Sequence, residues 1–183
     1  HPDRVDMEQV SDSERRSNIM FNTLDAVLHG VPGFFTPRWF SGFAFGMPVA
    51  PEAASFYDTA ELRDTLAELV DFDYLNSPDS IRLTINAVNV ASGQLTHFDS
   101  RAMHLEPDHV RASGSLPPAF PPVRIDGQLY WDGGLYSNTP LESVLGAMPE
   151  GDALCFMVDL WSARGPEPNT LDQVQTRQKD VTY

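Results

Sequence analysis

The dipeptide Asp126-Gly127, inside "VRIDGQLYWDGG", constrains the fold of this chain more than any other feature. An Asp-Gly pair flanked by alternating apolar residues favours a type I′ turn, because both central residues can take positive φ. Two short antiparallel strands follow from it, and the second delivers Asp132 at its end. Upstream, "SIRLTINAVNVASGQLTHFDS" predicts a second hairpin. Ile81, Leu83, Ile85, Ala87 and Asn89 alternate with Arg82, Thr84, Asn86 and Val88. Ser92-Gly93 makes the turn, and "QLTHFDS" returns as the partner strand.

Helical patterns lie between and around these strands. "SERRSNIMFNTLDAVLHG" carries Ile19, Met20, Leu24, Val27 and Leu28 close to helical spacing, with Ser13 as N-cap and Gly30 as the stop. In "YDTAELRDTLAELVDFDYL", Asp58 and Glu61 read as a capping box ahead of the stripe Leu62, Leu66, Leu69 and Val70. Pro107 opens a short helix that ends by Gly114, and the proline-rich run after it cannot be regular structure. "TPLESVLGAM" reads as a helix capped by Thr139 with Pro140 at its first position. "ALCFMVDL" is apolar almost throughout, as a strand covered on both faces would be, and it should bury Cys155. A last helix runs from about Leu171 to the chain end. Strands interleaved with helices predict an α/β layered fold. Residues 31–56 stand apart: rich in Pro, Gly and aromatics and without a period, they suit a binding loop or cap, or aromatics folded back on the core.

Composition removes several functions. The 183 residues carry a net charge of −14, which opposes binding to nucleic acid or to an anionic bilayer. The single cysteine permits no internal disulfide. His104 and His109 have no cysteine or carboxylate cluster at zinc-ligand spacing, so no metal or cofactor is expected. His97 could face a site on the second strand. No phosphate-loop or dinucleotide fingerprint occurs.

Asp132 stands where open α/β sheets place their ligands, at a strand end, followed by Gly133 and Gly134. From the local pattern it could be a base, a metal ligand or a turn residue. Its setting narrows the choice. Ala112, Ser113, Pro117, Phe120, Pro121 and Pro122 form an Ala-Ser-x-x-x-Pro-x-x-Phe-Pro-Pro run. Asp132-Gly133-Gly134 and then Asn138-Thr139-Pro140 follow in order. Over roughly residues 56–183 this block resembles patatin-like phospholipases, and "LRDTLAELVDFDYLN" looks similar to bacterial members.

The resemblance implies a layered α/β/α sheet and a serine acyl hydrolase with a Ser–Asp dyad and no histidine. It implies a lipid or acyl-ester substrate, transient contact with a membrane surface, and no cofactor. Asp132 carries over as the activating acid, with Gly133 and Gly134 shaping its loop; the substrate-binding residues are not assigned. The family's Gly-x-Ser-x-Gly elbow and glycine-rich oxyanion loop have no counterpart, since none of the serines has glycine two before and two after it. Ser113 and Ser115 fall in the loop before the hairpin. The reading expects a sheet incomplete at the N-terminus, with residues 1–183 as a partial domain: 1–55 a helix plus the cap-like segment, 56–183 the core. It expects these residues to be inactive without the missing nucleophile, and a cytoplasmic protein. The alternative is a non-catalytic binding or regulatory module that keeps the fold.

Overall fold

The computed structural model describes residues 12–39, 46–137, 141–146, 152, 154–158 and 164–182. Helix α1 (Asp12–His29) begins one residue before Ser13, which therefore lies inside it and is not its cap. Gly30 ends the helix with φ +81, and a Cβ there would stand 2.2 Å from the carbonyl oxygen of Phe35. Only glycine serves at such a stop. A two-stranded ribbon joins β1 (Thr36–Pro37) to β2 (Tyr57–Asp58). Helices α2 (Ala60–Leu69) and α3 (Phe72–Leu75) follow.

The predicted capping box at Asp58 and Glu61 does not form. Asp58 accepts from the Ala60 N–H and pairs with Arg38, while Glu61 accepts from the distant Gly33 N–H at 3.0 Å. The tertiary partners win over the local ones. A reciprocal cap forms instead at α4 (Pro107–Ser113): the His109 N–H donates to Glu106 O, and the Glu106 N–H donates to His109 Nδ1 at 2.9 Å.

The principal sheet has the order β4-β3-β6-β5 and is antiparallel throughout. Its strands are β3 (Thr84–Asn89), β4 (Leu95–Asp99), β5 (Val123–Ile125) and β6 (Gln128–Asp132). Both predicted hairpins are present. Asp126 and Gly127 have φ of 49° and 80°, as a type I′ turn requires. Ile81, however, precedes the strand and is 81% exposed, so the buried alternation starts only at Ile85. Arg82, next to it, is held outward by a bidentate bond to Asp99.

Ile85, Ala87, Phe98, Val123, Ile125 and Tyr130 meet Leu105 and Ala112 in one core, so α4 closes one face of the sheet. Phe98 packs edge-on with Tyr130 and with His109. His109 is buried; its Nδ1 accepts from the Glu106 N–H, and its Nε2 has no hydrogen-bond partner among the described residues.

Helices α5 (Leu141–Leu145) and α6 (Leu171–Thr182) agree with the sequence, while Asn138, Thr139 and Pro140 lie outside the described residues. The expectation for "ALCFMVDL" fails over its described part. Residues 154–158 pair with no strand, Leu154 and Phe156 are 81% and 83% exposed, and Cys155 is exposed. An apolar run becomes a strand only with a backbone partner and cover on both faces, and residues 154–158 pair with neither edge of the described sheet, β4 or β5. Together the elements form a mixed helix–sheet fold of the α/β kind.

Candidate active site

The site is built where β6 ends. Asp132 is opposite Ala87 in the β3–β6 ladder, and its N–H donates to Ser115 O at 3.1 Å. The strand end is thus fixed from two sides, by the sheet and by the loop after α4. Residues Gly133–Leu135 then turn away as a single 3₁₀ turn. Gly133 permits that turn to lie against β3: a Cβ on it would come within 2.6 Å of Asn86 O and 2.9 Å of the Asn86 carbonyl carbon. Backbone cannot swing aside, so glycine is required here by contact, not by its φ.

The turn aims the Gly134 N–H back at the acid. It donates to Asp132 Oδ1 at 2.7 Å. Asp132 is partly buried, and burial pushes its carboxyl above the ordinary value, while the Gly134 N–H pulls the other way. Raised toward neutrality, such a carboxylate is a better proton acceptor than a solvated one.

Asp132 opens into a hollow of about 280 Å³. Thr84, Ile85, Asn86, Ser113, Gly133, Gly134 and Ser137 complete its lining. The sequence-predicted trio Asp132, Gly133 and Gly134 is therefore brought together in one wall. Ser113 shares the hollow, but its Oγ donates to Val110 O at 3.1 Å, and no hydrogen bond joins it to Asp132 among the described residues. Ser115 is 2% exposed and its Oγ donates to Arg111 O. It is structural.

His97 does not reach Asp132. Its Nδ1 lies 2.5 Å from Asn86 Oδ1 and 3.2 Å from Ser143 Oγ, so the imidazole ties α5 to the β3–β4 hairpin. Sequence reading missed Asn86 as the seat of the turn. Its only signal was its place among the outward members of an alternating strand. The aromatic residues Phe34 and Phe35 fold back onto Phe120 and Tyr57, and none of the described residues between 31 and 56 lines the hollow. Among the described residues no group of His, Cys, Asp or Glu could hold a metal ion, and no helix is long and apolar enough to cross a membrane.

A second, larger depression of about 470 Å³ lies between α2, α3 and the start of α4, lined by Arg63, Phe72, His104 and Glu106 among others. Its lining shares no residue with the hollow at Asp132, and Asp71 within it caps α3 through the Tyr74 N–H.

No curated protein matches the chain. A family model, described as patatin-like phospholipase, matches residues 6–145, which takes in α1 and the aromatic segment as well as the Asp-Gly-Gly turn. With more than half of its length matched, and a carboxylate set at a strand end by two glycines, the chain belongs to the patatin-like phospholipase family.

Proposed function

We propose that the chain carries the acid half of a serine lipid acyl hydrolase, with Asp132 as the general base. The observation that supports this most is the half-buried Asp132 carboxylate, oriented by the Gly134 N–H into an open hollow. A serine hydroxyl is a weak nucleophile and needs a base within hydrogen-bond reach. The nucleophile stands on a Gly-x-Ser-x-Gly turn supplied from outside these 183 residues. Asp132 takes the serine proton as the oxygen bonds to the ester carbonyl carbon. The carbon–oxygen bond to the alcohol then breaks, and the proton passes to the leaving alcohol. Water, deprotonated by the same carboxylate, attacks the acyl-enzyme carbonyl; the fatty acid leaves and the serine regains its proton. The family implies lipid substrates. Trp39, Met47 and Val49, all more than half exposed, are the residues we assign to transient contact with a lipid surface.

The lack of an elbow serine is the one observation that favours the second reading, a non-catalytic module. Fluorophosphonate labelling separates the possibilities. The 183-residue polypeptide should take up no probe, and the complete gene product should label on one elbow serine. Stoichiometric labelling of the polypeptide itself, on Ser113 for instance, would overturn the assignment. A gene product that begins at His1 and labels nowhere would establish the module.

A further inference from the structure

Asn86 and His97 stand opposite each other in the β3–β4 ladder. Their neighbours in that ladder, Ile85 and Phe98, point into the core beneath α4, so Asn86 and His97 share the other face of the sheet. Gly133 is seated on the same strand. A Cβ there would meet Asn86 O, the Asn86 carbonyl carbon and, at 3.2 Å, Asn86 Cβ. The turn that carries Asp132 thus rests on the residue that His97 holds.

One ring nitrogen makes both bonds of this histidine: His97 Nδ1 to Asn86 Oδ1 and, longer, to Ser143 Oγ. A carboxamide oxygen only accepts, so Nδ1 carries the proton and donates it to Asn86, with Ser143 Oγ as the second acceptor. The charged ring keeps that proton too, so the bond to Asn86 does not depend on the state of Nε2. Ser143 stands on α5, the helix into which the Asp-Gly-Gly turn leads. Val144 and Leu145 on that helix are 47% and 57% exposed, so packing holds α5 only in part. Among the described residues, the bond to His97 is the only side-chain hydrogen bond of α5.

We propose that His97 is a positioning residue for Asp132. With one bond it fixes Asn86, the seat beneath the turn; with the other it fixes the helix beyond the turn. Held at both ends, the turn keeps the Gly134 N–H on the Asp132 carboxylate. His97 itself is exposed and does not line the hollow, so it acts only through these two partners. Its meaning for catalysis rests on the acyl hydrolase reading above: a base displaced by about 1 Å can lose roughly a hundredfold in rate.

Two variants of the 183-residue chain, followed by nuclear magnetic resonance, test this. His97→Phe keeps a flat ring that suits a strand and removes the donor. His97→Asn puts an amide N–H close to the place of Nδ1. The ring nitrogens of the unaltered chain at pH 8 should report the Nδ1–H tautomer for His97. His97→Phe should melt within about 2 °C of the parent, as surface substitutions do, yet displace the amide resonances of Gly133, Gly134 and Ser143. His97→Asn should return them most of the way. In the complete gene product, His97→Phe should lower kcat for a short-chain p-nitrophenyl ester by about ten- to a hundredfold with KM little changed, and His97→Asn should recover most of that loss. An Nε2–H tautomer, a Gly134 resonance that stays in place in His97→Phe, or an Asn variant no better than the Phe variant overturns the proposal. So does a Phe variant that fails to fold, which would make His97 a structural residue. A complete gene product with no esterase activity refutes the parent reading instead, and the resonances alone then decide the role of His97.

Discussion

Asp132 holds its charge at a cost, and that cost has a sign that can be measured. Burial raises its carboxyl in the folded chain, against the opposing pull of the Gly134 N–H. The folded state therefore binds this proton more tightly than the unfolded state. Its stabilising contribution is complete at acid pH and is lost as pH rises through the raised value. Asp132→Asn removes the buried charge and keeps an oxygen for the Gly134 N–H. The variant should be more stable than the parent at neutral pH, with the difference shrinking as pH falls through the ordinary carboxylate range. Thermal melts of both proteins from pH 4 to pH 8 check this; a variant less stable at pH 7 would mean that the carboxylate stabilises the turn. Gly133 makes the complementary case. Alanine there would press on the Asn86 carbonyl at 2.6 Å, a contact that only backbone movement relieves. Gly133→Ala should cost about 1–3 kcal/mol, the range for overfilling a packed site, and should displace the Gly134 amide resonance.

The two hairpins and the glycine stop of α1 were legible in the sequence because their signals are local. Asp126-Gly127 needs only its own backbone to make a type I′ turn, and the structure has that turn. Gly127→Ala tests the same substitution where nothing lies within 4 Å of the new Cβ. The cost there is conformational, about 1–2 kcal/mol for a residue held at positive φ. The Gly134 resonance should stay in place, unlike in Gly133→Ala. What the sequence hid depends on distant partners. Glu61 left its capping box for Gly33, and His109 took up a cap that its spacing to Glu106 alone does not announce. "ALCFMVDL" shows the same limit from the other side. Its composition asks for a strand, yet a strand exists only beside another, and none of the described strands pairs with residues 154–158. Leu105 illustrates how much of the core is non-local. It sits ahead of α4, fully buried, with its N–H held by Asn76 Oδ1 at 2.7 Å. Leu105→Ala should destabilise the chain by about 2–5 kcal/mol, read from denaturant unfolding.

Across the whole chain, the family was legible because the order and spacing of several motifs around Asp132 agreed, and a family model matches residues 6–145. The floor of the site at Asp132 was not, since Asn86 and Ser137 reach the hollow through tertiary packing. The molecule presents a strongly acidic surface, yet it leaves apolar side chains uncovered on α1, where Ile19, Met20 and Phe21 are each more than 60% exposed. Neither feature performs chemistry; both surround a single carboxylate that the fold aims into a cleft. Its role is tested most directly by the steady-state hydrolysis of a short-chain p-nitrophenyl ester by the complete gene product and by its Asp132→Asn variant. Loss of the base should lower kcat by roughly 10²–10⁴-fold, with the circular dichroism spectrum unchanged. A variant that folds normally and keeps more than half the parent rate would contradict the assignment of Asp132 as the base.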